Sequence, residues 1–138
     1  MLGGCGVDAA GTAPPTDAEV LTGLLDTEVA AGAPVIDSPV TELLVRQDAR
    51  HVERLASLAG VAAPGPASDT PVDLGEALAR KQEAVFAYVA ALPKLADPEA
   101  RVAVMQLLAS EAGHIAALRQ AAGQAPVADP FAGFMEPA

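Results

Sequence analysis

Ser110-Glu111-Ala112-Gly113-His114 lies towards the end of the last long apolar-periodic segment, and its reading decides the fold. On a helix, residues three apart face the same side about one turn from each other, so Glu111 and His114 can grip one ion. A single pair of this kind is common. Its weight comes from a second acid-x-x-His, Asp48-Ala49-Arg50-His51, which takes up the only other histidine in the chain. Two isolated acids, Glu28 and Glu83, each stand one helix upstream of a copy.

Working outward, Val104, Leu107, Glu111, His114 and Leu118 recur at spacings of 3, 4, 3 and 4, which places both motif residues on the apolar stripe of a helix. Asp97-Pro98 supplies its cap and first turn, and Gly123 closes it. The other copy sits in Leu44, Asp48, His51, Leu55 and Leu58, with Ser38-Pro39 predicted to start that helix and Gly60 to end it. The first helix opens on a capping box, Thr16 with Glu19, and carries Leu21, Leu24, Glu28 and Ala31 in line before Gly32 and Pro34 stop it. The third opens on Asp73 with Glu76 and ends near Leu92-Pro93. Its apolar positions Leu74, Leu78, Val85 and Val89 predict an inner edge of Ala79, Glu83, Phe86 and Ala90.

Val61 to Val72, with three prolines, is the longest link inside the pattern and long enough to cross between helical hairpins. The expectation is an all-α, antiparallel four-helix bundle of two short-linked hairpins joined by a crossover, spanning residues 16–123. It follows a flexible tether, residues 1–15, and precedes an irregular tail, residues 124–138, whose Phe131 and Phe134 are expected to lie against the bundle. Each hairpin carries an acid and then an acid-x-x-His, 20 residues later in the first (48 minus 28) and 28 in the second (111 minus 83). Eight residues fewer is about one turn from each arm, so the polar residues can stay level.

Composition agrees. Hydrophobic residues make up 51% of the 138, much of it Ala and Leu with no Trp and one Tyr, which favours packed helices over a β-sandwich. A net charge of -10, from 8 basic and 18 acidic residues, would repel phosphate backbones, so no nucleic-acid partner is expected. No run of about 18 apolar residues predicts a transmembrane segment. An Ala-rich bundle with mean hydropathy +0.32 makes a homodimer an expectation.

Four carboxylates and two imidazoles converging in an apolar bundle need a compensating charge, because each unpaired buried carboxylate costs several kcal/mol. A pair of divalent cations supplies it, and carboxylate oxygens with one imidazole per ion suit iron or manganese, with zinc also fitting. In these residues the chain resembles the ferritin-like superfamily of di-iron carboxylate bundles, small bacterial ferritin-like domain proteins among them, over about Thr16 to Gly123. The resemblance implies Glu28 and Glu83 as terminal ligands, Asp48 and Glu111 as bridging carboxylates, and His51 and His114 as nitrogen ligands to two iron ions. Asp48 departs from the family's glutamate by one methylene, and the first hairpin is short.

Two functions follow as expectations. One is a di-metal protein with ferroxidase or peroxide- or oxygen-handling activity, drawing on an external electron donor because no Cys-x-x-Cys pair is present. The other is a metal-free ferritin-like helical binding or structural module, tethered outside the cytoplasm. Leu2-Gly3-Gly4-Cys5 resembles the end of a bacterial lipoprotein signal, with Cys5 as the lipid anchor, but only four residues stand before it. A membrane-anchored extracytoplasmic protein and a cytoplasmic one both stay open. Tyr88 is expected to pack in the core with its hydroxyl satisfied rather than act as a redox group.

Overall fold

The Thr16 hydroxyl accepts from the Glu19 backbone N–H while the Glu19 carboxylate accepts from Thr16 N at 2.7 Å, and this reciprocal cap starts α1, Asp17–Ala31. The same logic starts α3, Leu74–Ala91, where the Asp73 carboxylate accepts from Glu76 N at 2.8 Å, and α4, Pro98–Ala121, where Asp97 caps Glu99 N. These are seen in a computed structural model that describes residues 13–127 apart from 33, 36, 37, 39 and 68. Cys5, Phe131 and Phe134 therefore lie outside the described residues, as do the expectations resting on them.

The second helix begins later than its Ser-Pro pair suggests. α2 spans Thr41–Ala59, with no side-chain cap on its first turn. Ser38 instead completes a turn ahead of the helix, its hydroxyl accepting from Val40 N and its carbonyl from Thr41 N, while the Thr41 hydroxyl donates to Val35 O. Gly60, at φ 71°, ends α2 in the left-handed conformation that glycine adopts without a Cβ clash. Pro93 follows Leu92 into a single 3-10 turn after α3, as the missing N–H requires.

The four helices form an antiparallel bundle. α1 packs on α2 and α3, and α3 packs on α4. The link between the hairpins is mostly exposed and tied at its far end, where Val72 pairs with Val35 and donates its N–H to Pro34 O at 2.8 Å. Two apolar clusters fill the interior. One gathers Leu21, Leu24, Leu25, Leu55, Tyr88, Leu95 and Val104, the other Val35, Leu44, Val72, Ala77 and Leu118. The sequence order Leu44, then Asp48 and His51, then Leu55 in α2, mirrored by Val104, Leu107, then Glu111 and His114, then Leu118 in α4, sets a polar layer between them.

The predicted inner edge of α3 is not its inner edge. Ala77, Lys81, Ala84, Tyr88 and Ala91 are buried, at spacings of 4, 3, 4 and 3, whereas Ala79, Glu83, Phe86 and Ala90 face solvent, Phe86 at 72% exposure. Glu83 is two residues from Lys81, and two residues turn a helix by about 200°. Alanine lines the buried face because it lets α3 lie close to its neighbours, and Tyr88 fills the room that remains.

Candidate metal centre

Five of the six residues singled out in the sequence meet in the polar layer. Glu28, Asp48, His51, Glu111 and His114 are buried, and both glutamates are fully so. Glu83 is the exception and stands on the outer surface beside Asp26 and Arg80. Its place facing the layer from α3 is taken by Lys81, 2% exposed. The ammonium donates to Asp48 Oδ1 at 2.6 Å and to Glu111 Oε1 at 3.2 Å, and lies 3.1 Å from Glu111 Oε2 and 3.8 Å from Glu28 Oε1. One cation from α3 thus faces a carboxylate from each of the other three helices.

The imidazoles complete the network. His51 Nδ1 lies 3.0 Å from Glu28 Oε1 and 2.9 Å from Glu111 Oε1, with Nε2 2.9 Å from the Ser110 hydroxyl. His114 Nε2 bonds the Gln47 side-chain oxygen, which fixes a proton on that nitrogen. Its Nδ1 is left 3.3 Å from Asp48 Oδ1 and 3.1 Å from Glu111 Oε1, ion-pair distances, and among the described residues neither it nor Glu111 Oε2 makes a hydrogen bond of good geometry. The two rings stack, their centroids 5.3 Å apart and their planes within 13°. The Tyr88 hydroxyl donates to Glu28 Oε2 at 2.9 Å, as the packing reading of Tyr88 requires.

Burial and pairing pull the ionisable groups in opposite directions. Burial alone would lower the His51 imidazole, but hydrogen bonds to Glu111 and Glu28 outweigh it and hold the group up at about 9. Burial also opposes the charge on His114 and Lys81, yet the carboxylates around them raise both. Burial would raise Glu111, and its pairing with His114 and His51 together with the Lys81 charge reverses that, so its carboxyl sits well below the usual range. Glu28 is raised, chiefly by burial. Burial and then the Glu28 carboxylate push the Tyr88 phenol up, which keeps it a protonated donor.

Asp48, His51, Glu111 and His114 each present a ligand atom, and these lie within 4.8 Å of one another, close enough to hold a metal ion. A model of the ferritin-like domain matches residues 18–124. The chain belongs to the ferritin-like domain family. No curated protein and no solved structure matches it. Among the described residues of this ferritin-like chain, no helix is long and apolar enough to cross a membrane.

A cavity of about 270 Å³ adjoins the layer on the α1–α2 side, lined by Val29, Gly32, Val45, Val52 and the link residues Ala63 to Pro66, with Glu28 and Asp48 among its walls. Gly32 borders this approach, where a Cβ would sit in ordinary van der Waals contact with Asp48. Lys81, Gln47 and Ser110 escaped the sequence reading. The signal for Lys81 was present: it falls on the same 4-3-4-3 spacing as Ala77, Ala84 and Tyr88, but small alanines mark a buried stripe less visibly than leucines do.

Proposed function

We propose that this ferritin-like bundle is a metal-handling protein that binds a divalent transition-metal ion through Asp48, His51, Glu111 and His114, with Glu28 as an adjoining carboxylate. The observation that carries the reading is His114. With its Nε2 directed to Gln47, the ring turns Nδ1 towards two carboxylate oxygens, an arrangement that a proton or a metal cation at that nitrogen makes favourable. Two imidazoles and two carboxylates suit iron, manganese or zinc. A redox-active ion held there would supply a one-electron couple inside the bundle.

The protein's own contribution is orientation and seclusion. Gln47 sets the His114 tautomer, Ser110 holds the His51 ring, and Tyr88 steadies Glu28, while the apolar clusters above and below keep bulk water from the layer. The cavity beside Glu28 and Asp48 offers an ion a route past two carboxylates. Chelator-treated protein reloaded anaerobically with Fe(II), Mn(II) or Zn(II) should retain metal after desalting, and His114→Ala should lose it. Wild type that stays metal-free, with no rise in melting temperature on loading, would defeat the reading.

A second reading, a metal-free helical binding module, is favoured by one observation. With both imidazoles protonated, as their raised pKa values favour, Lys81 and the histidines balance the three carboxylates of the layer without any ion. The same loading experiment separates the two.

A further inference from the structure

We propose that Lys81 is a built-in cation that takes the place of one metal ion, so that the centre holds one ion fewer than a symmetric two-metal centre would. The inference rests on the metal-binding reading for what fills the remaining place, but its own evidence is the lysine. A buried ammonium 2.6 Å from one carboxylate, 3.1 Å from a second and 3.8 Å from a third occupies the kind of position that a divalent ion would take. It reaches there from α3, which alone among the described helices sends no carboxylate into the layer.

The charge balance decides how many ions fit. Glu28, Asp48 and Glu111 bring three negative charges and Lys81 one positive, leaving two negative charges, which one divalent ion cancels when the histidines are neutral ligands. A second divalent ion would leave two positive charges unpaired in an apolar interior, and buried unpaired charge is what such interiors exclude. With glutamate in place of Lys81, four carboxylates would match two divalent ions. The donor set points the same way, since a second ion would need a carboxylate from α3 and Glu83 faces solvent.

The experiment counts Zn(II) ions per chain by native mass spectrometry in wild type, Lys81→Glu and Lys81→Gln, with helix content followed by circular dichroism. The Glu variant should hold one more zinc than wild type. Should the Glu variant stay unfolded with and without zinc, the Gln variant decides: removing the ammonium should tighten zinc binding at least tenfold by relieving a short-range repulsion. Wild type that takes up no zinc while the Glu variant does would defeat the metal-binding reading and leave the lysine assignment standing. A folded Glu variant holding no more zinc than wild type overturns the assignment, as does, when Glu fails to fold, a Gln variant that binds zinc no more tightly than wild type.

Discussion

The two hairpins carry nearly the same pattern and use it differently. The α1–α2 hairpin, short and with aspartate in its acid-x-x-His, sends Glu28, Asp48 and His51 into the interior at the places their spacing implies. The α3–α4 hairpin, with its intact Glu-x-x-His, delivers Glu111 and His114 but turns Glu83 to solvent and inserts Lys81 instead. The departures visible in sequence are thus in one hairpin, and the change in charge is in the other. A missing methylene can be absorbed by small shifts of the helices. A carboxylate replaced by an ammonium changes what the layer can bind.

The sharpest way to break this comparison is to remove the cation from α3. Lys81→Met leaves three buried carboxylates facing only the histidines, and chelator-treated protein should lose about 3–5 kcal/mol, read as a lower urea midpoint. A loss below about 1 kcal/mol would mean that the ammonium adds little net stability to the layer.

Protonation tests the first hairpin's imidazole. His51 stands at about 9 against an ordinary 6.5, so the stability it contributes is complete below about 6.5 and lost as pH rises through about 9. His114 and Lys81 are raised too and act with the same sign, while Glu111, held low, stays ionised throughout. Unfolding of the metal-free protein should therefore become easier by on the order of 3 kcal/mol across that window. A flat profile would show that His51 is neutral in the folded state.

Tyr88→Phe removes the bond from α3 to the Glu28 carboxylate of α1 and should cost about 1–2 kcal/mol by leaving a buried acceptor unpaired. Glu83→Ala should have the smallest effect, with an unchanged urea midpoint and unchanged zinc count. A drop in zinc on that substitution would restore Glu83 to the centre and undo the contrast between the hairpins.

Much of this arrangement was legible in the residues. The capping residues Thr16, Asp73 and Asp97 and the stops at Gly60 and Pro93 mark most helix ends, because capping and backbone freedom are local chemistry. The start of α2 was not, since Ser38 spends its hydroxyl on a preceding turn tied to Val35, a contact that the local sequence does not announce. In α2 and α4 the polar residues interrupt leucine and valine stripes, and the contrast in size and polarity identified the inward face.

What the sequence determined by itself is a four-helix bundle with an acid-x-x-His pair on each of two helices, level with each other between apolar layers. Helical periodicity and strong side-chain contrast suffice for that. Which face of α3 turns inward was decided only in three dimensions. That helix carries alanine nearly all round, so its periodicity distinguishes the faces weakly, and the choice falls to how closely its neighbours approach and what fits between them. The fit selected Ala77, Ala84 and Tyr88, and with them Lys81, which placed a positive charge where the pattern had called for a negative one.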